Sequence, residues 1–202
     1  IDYRAGNLAS GRKALAAVDA EVYAPAAPAD LARASGIIVP GVGHFDATRV
    51  LDAPWRAALR ARVEAGVPLL GICLGLQWLF EGSAEAPGVA GLGLLPGHCF
   101  LLPGEALPGA ARVKVPHVGW NALAQRAGSL LLDGIPDGAQ GYFTHSYAAP
   151  VTAACVATTD HGVTFASVVE RGVVFGAQFH PEKSGDVGLA LLRNFTRVAR
   201  PR

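Results

Sequence analysis

The 202-residue chain sets 17 lysines and arginines against 16 acidic residues, a net charge of +1, and is 51% hydrophobic and only 16% charged. That composition excludes a disordered chain, suits one domain over residues 1–202, and leaves surface that a partner could cover. It holds no basic run to follow a phosphate backbone or an anionic membrane, and its longest apolar tract, Gly66 to Phe80, is too short and glycine-broken to span a bilayer. Neither nucleic acid nor membrane is therefore expected as a partner. Three cysteines, Cys73, Cys99 and Cys155, are an odd number without ligand spacing, which points to free thiols in a reducing cytoplasm and to no metal site.

Taken in order, Ile1-Asp2-Tyr3 reads as the end of a first strand. The chain has no methionine and opens mid-element, so a few residues are expected before Ile1. A turn at Arg4 to Asn7 leads into helical spacing from Leu8 to Val18. Glu21-Val22-Tyr23 is a short strand candidate, and Gly36 to Val39 a buried one. Pro40-Gly41-Val42-Gly43 follows at a strand's C-terminal end, where ligands bind in open α/β sheets, and its two glycines let the backbone turn N–H groups toward a substrate. The helix Pro54 to Ala65 carries Trp55, Leu59 and Val63 on one stripe and ends at Gly66. Pro68 to Ile72 is a continuous apolar run, hence a strand buried on both faces. After Cys73 a second helix aligns Leu76, Leu79 and Phe80, with Gly82 to end it.

This βαβ order predicts an α/β fold: an open, mostly parallel central sheet with helices on both faces. Beyond Gly82 the pattern changes. Tyr142 to Tyr147, the run around Cys155, and the pair Val163–Val169 and Val173–Phe175 joined at Arg171-Gly172 predict an antiparallel extension. A closing helix, Gly185 to Val198, carries Val187, Leu191, Leu192 and Phe195.

The chemistry is concentrated in two stretches. Cys73 sits between Gly71 and Gly75 where a strand turns sharply into a helix, the nucleophile-elbow geometry with cysteine in the serine position. A thiolate there meets the positive end of the helix dipole, and the N–H of Leu74 can donate to an oxyanion. Far downstream, Pro181 biases His180 toward an extended backbone, so that His180 and Glu182, two apart, project to the same side. A cysteine nucleophile needs a base, and the base a carboxylate to hold its tautomer. Cys73, His180 and Glu182 supply all three.

Gly71-Ile72-Cys73-Leu74-Gly75 followed by His180-Pro181-Glu182 resembles the triad-type, class I glutamine amidotransferases. The likeness extends to Pro40 to Phe45, Glu81 to Val89 and Pro116 to Asn121, and the last two stretches look like the subfamily of glutaminase subunits of imidazole glycerol phosphate synthase, from histidine biosynthesis. It runs nearly end to end, with Arg4 and Ala9 as departures in the first turn. The resemblance implies hydrolysis of L-glutamine without a cofactor, and a heterodimer with a (β/α)₈ cyclase that receives the ammonia. It implies oxyanion donors at Leu74 and at Val42 or Gly43, and glutamine contacts at Gln77, Glu85, His145, Ser146 and Tyr147. It also implies a partner-facing role for Asn7, Trp120, Asn121 and Lys183. His145 is given no acid–base role, and His44, His98 and His161 are read as structural.

Overall fold

The computed structural model describes residues 1–3, 8–104 and 113–200; Asn7 and Arg4 lie outside them. The first half alternates helix and strand: α1 (Leu8–Ala16), β1 (Ile37–Val39), α2 (Ala53–Glu64), β2 (Leu69–Ile72) and α3 (Leu74–Leu79). The second half is strand-rich: β3 (Gly82–Ser83), β4 (His98–Leu101), β5 (His117–Ala122), β6 (Ala124–Gln125), β7 (Gln140–His145), β8 (Tyr147–Ala148), β9 (Cys155–Asp160), β10 (Thr164–Arg171) and β11 (Val174–Ala177), closed by α4 (Gly185–Val198).

Local chemistry accounts for the element ends. Asp52 caps α2 by accepting from the Trp55 N–H, Pro54 occupies its first turn, and Gly66 leaves the helix at φ +83°. Gly172 turns the β10–β11 hairpin at φ +61°, a conformation that a side chain disfavours.

Six strands form one sheet in the order β1-β2-β11-β10-β9-β6. β1, β2 and β11 pair in parallel, and from β11 outward through β10, β9 and β6 the pairing is antiparallel. This is the α/β core with its antiparallel extension. A smaller sheet joins β3, β4 and β8, and β5 pairs antiparallel with β7.

All four residues of β2 are buried, and alternate residues feed different cores. Leu69 packs in the cluster containing Leu59 of α2 and Leu76, Trp78 and Leu79 of α3. Leu70 and Ile72 pack in the cluster with Ala14 and Leu15 of α1 and Leu191, Leu192 and Phe195 of α4. Helices therefore cover both faces, and β2 runs between two dry layers straight into Cys73. No helix of the described residues is long and apolar enough to cross a membrane.

Several elements differ from expectation. Ile1 to Tyr3 form no strand; the Ile1 amino group donates to the Ile38 carbonyl at 2.7 Å without continuing a ladder. Glu21 to Tyr23 are likewise irregular. Three residues make a strand only beside a partner, and here Tyr23 serves a turn instead: its hydroxyl donates to the Asp30 carbonyl and its ring lies under Arg33. α1 ends at Ala16, two residues short of Val18. Gly82 does not terminate α3; that helix stops at Leu79, and Gly82 pairs with His98, because the chain needs an extended residue there to join β4.

Candidate active site

β2 delivers Cys73 and α3 starts at the next residue, so the cysteine must make the entire turn. It does so at φ 52°, a left-handed conformation that is uncommon outside glycine and that concentrates at functional sites. The bend is held from both sides: the Cys73 N–H donates to Ala177 O at 2.8 Å, and Cys73 O accepts from the Gln77 N–H at 3.1 Å. The flanking glycines are required by contact. A Cβ on Gly75 would fall inside the Val39 carbonyl oxygen, and one on Gly71 would stand 2.6 Å from the Gly75 carbonyl oxygen. Neither neighbour can give, since both are backbone.

β11 runs beside β2 in parallel, so its C-terminal continuation arrives next to the elbow. There the His180 Nδ1–H donates to Glu182 Oε1 at 2.8 Å, with the imidazole almost fully buried and the carboxylate mostly so. The expected convergence is present, but its route differs. Residues 181–183 form a 3₁₀ turn rather than extended chain, and the carboxylate folds back onto Nδ1 from within that turn. Ser184 ties the segment to β7: its hydroxyl donates to His180 O and accepts from the Tyr142 N–H, while the His180 N–H donates to Tyr142 O.

With Nδ1 committed to Glu182, Nε2 is left toward the sulfur. It is buried and closes no hydrogen bond in normal geometry among the described residues, yet Cys73 is near enough to act on the ring. Burial alone would lower the His180 pKa; interaction with Cys73 and Glu182 outweighs it and raises the pKa to about 9. Burial likewise opposes ionisation of Glu182, and its hydrogen bond and charge contact with His180 reverse that, holding the carboxyl below its ordinary value.

The oxyanion donors are not both turned inward. The Leu74 N–H is directed at Gly41 O at 3.4 Å, so one expected donor is satisfied by the loop meant to supply the other. A peptide group that points its carbonyl at Leu74 points its own N–H, that of Val42, the other way. Val42 is 38% exposed, and Gly43 sits at φ +96°.

Of the residues expected to contact glutamine, Gln77 lies on α3, which begins at the elbow. Gln77 is 4% exposed, and its amide nitrogen donates to Tyr147 O at 2.7 Å and to Gln178 Oε1 at 3.3 Å. Glu85 Oε2 accepts from the Phe45 N–H at 2.8 Å, bracing the segment that follows Gly43. Ser146 O accepts from the Leu102 N–H. His145 is enclosed in a histidine cluster: Nδ1 meets Tyr147 O at 2.9 Å, Nε2 meets His117 Nδ1 at 3.2 Å, and His161 stacks on His117. Burial lowers both pKa values, His117 to about 4 and His145 to about 3, so both rings are neutral at physiological pH.

Trp120 is 57% exposed and meets Tyr142 edge-on at 5.8 Å between ring centroids; Lys183 Nζ lies 5.8 Å from the centre of the same tyrosine ring. Asn121, expected at the partner surface, spends its side chain on the fold, donating to Asp160 O and accepting from the Ala122 N–H. Two residues near the sulfur were not anticipated. The Tyr3 hydroxyl is buried close to Gly41, and the Gln178 amide nitrogen lies 3.7 Å from Cys73 Sγ. Gln178 lies in the bend between β11 and His180, and neither it nor Tyr3 carries a sequence signal of its own.

The parallel pairing of β2 and β11 thus brings a cysteine elbow and a buried histidine–carboxylate pair to the same edge of an α/β sheet. The class-I glutamine amidotransferase family model matches residues 7–198. The chain is 46% identical over 207 residues to the imidazole glycerol phosphate synthase subunit HisH of Deinococcus radiodurans, covering 100% of this chain and 93% of that protein. Its identity to the HisH of Moorella thermoacetica is 47% over 204 residues, covering 99% and 94%. A solved glutamine amidotransferase shares the fold at a TM-score of 0.72 and 22% identity, covering 96% of this chain and 95% of that one. The chain belongs to the class-I glutamine amidotransferases and, within them, to the HisH subunits of imidazole glycerol phosphate synthase.

Proposed function

We propose that this chain hydrolyses L-glutamine to glutamate and ammonia through Cys73, His180 and Glu182, and passes the ammonia to a (β/α)₈ cyclase bound in a cytoplasmic heterodimer. The observation that carries this reading is the 2.8 Å His180–Glu182 pair, buried beside the cysteine elbow in a chain of HisH type. His180 removes the thiol proton and Cys73 attacks the side-chain amide of glutamine. The tetrahedral oxyanion then lies between backbone N–H groups. His180, oriented by Glu182, hands its proton to the departing ammonia, and water hydrolyses the thioester. Free ammonia would be protonated in water, so delivery to a synthase needs a covered path, which the partner supplies. The lyase half of the reaction, closure of the imidazole ring, belongs to that partner.

Because the Leu74 N–H is engaged by Gly41 O, the oxyanion site forms when the Gly41–Val42 peptide turns over, releasing one donor and bringing in another. Removing a single oxyanion donor costs a factor of about 10² to 10³ in kcat. Adding the cyclase to the isolated chain is therefore expected to raise glutamine hydrolysis by about that factor, read as glutamate formed per minute with and without partner. Equal rates would overturn the loop account, and no glutamate in either sample would overturn the glutaminase reading.

The cyclase-facing surface is assigned to Val118 and Trp120, neighbours on one face of β5 and each 57% exposed, together with Lys183. Truncating a tryptophan anchor costs about 2 kcal/mol or more at an interface, roughly a thirtyfold loss of affinity. Trp120→Ala is expected to weaken binding to the cyclase by about that factor, measured by titration calorimetry, with the isolated chain's slow hydrolysis unchanged. Wild-type affinity in the variant would remove β5 from the interface.

A further inference from the structure

The oxyanion donors and the histidine–carboxylate pair leave two contacts to the sulfur unexplained: Thr144 O at 4.0 Å, the longer of the two, and the side chain of Gln178. Gln178 is fully buried immediately after β11, its backbone fixed by an N–H donated to Ser167 O at 2.9 Å. The preceding residue, Ala177, accepts from the Cys73 N–H, so the two backbones are locked side by side. The Gln178 side-chain nitrogen stands 3.7 Å from Cys73 Sγ, within range for a hydrogen bond to sulfur.

Which end of this amide faces the sulfur is fixed by a chain of partners. Tyr147 O can only accept, so the end of Gln77 that meets it at 2.7 Å is the NH₂ group. That same nitrogen lies 3.3 Å from Gln178, and a second NH₂ there would set donor against donor; the atom it meets is therefore Oε1. With its oxygen held by Gln77, Gln178 has its NH₂ toward Cys73. Two buried amides thus run from a strand carbonyl to the reactive sulfur.

We infer that Gln178 is a catalytic residue whose amide N–H donates to Cys73 Sγ and favours the thiolate, with Gln77 as the residue that sets its orientation. The inference rests on the proposed role of Cys73 as nucleophile. A neutral donor binds an anionic sulfur more strongly than a neutral one, and more so where water is excluded. The N–H eases loss of the thiol proton to His180; as the sulfur bonds to the amide carbon its charge moves to the oxyanion, and the donor's contribution fades. Gln77, whose nitrogen is occupied by Tyr147 and Gln178, serves the sulfur as much as any bound glutamine.

The test uses the chain in complex with its cyclase and two variants, Gln178→Leu and Gln178→Glu. Two quantities are read at one neutral pH: the rate of Cys73 alkylation by iodoacetamide, and the thiolate's ultraviolet absorbance taken as the difference from Cys73→Ala in each background. Gln178→Leu is expected to slow alkylation by about tenfold to a hundredfold, with a fall in absorbance and a smaller fall in kcat/KM. Gln178→Glu nearly preserves shape but turns an oxygen to the sulfur, so it is expected to be the slower of the two. If Gln178 only fills space, the order reverses, with leucine worse than glutamate. That order, or wild-type alkylation in both variants, overturns the inference. Should either variant fail to fold, Gln77→Leu removes the orienting donor with Gln178 in place, and is expected to slow alkylation by a smaller factor; an unchanged rate there also counts against it. Failure of iodoacetamide to label Cys73 in the wild-type complex would instead defeat the nucleophile assignment.

Discussion

Replacing Cys73 with alanine is expected to abolish glutamine hydrolysis, lowering the rate by on the order of 10⁴- to 10⁶-fold, as when a nucleophile is deleted from a triad. No other thiol can stand in. Cys99 is 1% exposed, donates to Gln77 O, and has its pKa pushed upward by burial; Cys155 is buried in β9 and turned to Ala157 O. Nor should the fold suffer. Among the described residues the hydrogen bonds of the Cys73 sulfur are long, 3.7 Å from Gln178 and 4.0 Å to Thr144 O, and alanine at φ 52° is no worse placed than cysteine. The expected change in stability is within about 1 kcal/mol, read from urea unfolding. A functional control separates lost chemistry from lost structure: the Cys73→Ala complex, given ammonium salt in place of glutamine, should still support ring closure by the cyclase. Glutamate released by the variant at more than a hundredth of the wild-type rate would place the nucleophile elsewhere.

What sequence could and could not reveal divides along the range of the forces involved. Helix α4 was legible over its entire length, because four apolar residues at helical spacing between Gly185 and Val198 fix a face whatever lies opposite. The elbow was legible because two glycines around a cysteine, after a strand, admit few other backbones. The β10–β11 hairpin followed from a glycine at its turn. Glu21 to Tyr23 reads as a strand but forms none, because strand identity belongs to a pair, and apolar character in a three-residue stretch does not supply a partner. The meeting of His180 and Glu182 was foreseen through side-chain alternation, yet it is achieved by a 3₁₀ turn pinned by Ser184, a tertiary hydrogen bond with no local signature. The orientation of the Gly41–Val42 peptide is of the same kind. It is seen in the 3.4 Å approach of the Leu74 N–H of α3 to Gly41 O, a contact between distant segments that Pro-Gly-Val-Gly alone does not encode. Gln178, just past the apolar strand β11, carries no message in sequence until a sulfur and a second amide are seen on either side of it.

Glu182→Gln should cost less than loss of the nucleophile but more than any surface change, lowering kcat by about 10² to 10⁴. The substitution keeps size and removes charge; the new amide can also present its NH₂ to Nδ1 and drive the ring into the tautomer with its proton on the sulfur side. The loss carries a pH signature. In the folded chain His180 titrates at about 9 against an ordinary 6.5, so its contribution to stability is complete below pH 6.5 and vanishes as pH rises through 9. Glu182 is shifted below its ordinary 4.5, so its contribution is present above that value and is lost on acidification. The stability gap between wild type and Glu182→Gln should therefore be widest between about pH 4.5 and 6.5, narrowing on the alkaline flank through the His180 range and on the acid flank below 4.5. Cys73 still acts on the ring in the variant, so His180, followed by its imidazole NMR signal, is expected to titrate below the wild-type value while the Cys73 contribution keeps part of the rise. Urea unfolding at pH 4, 6 and 9.5 measures the gap, and a gap of constant size would mean that the 2.8 Å pair holds shape alone. In that case a fall in kcat would have to come from the tautomer, and histidine's proton would owe nothing to the carboxylate's charge.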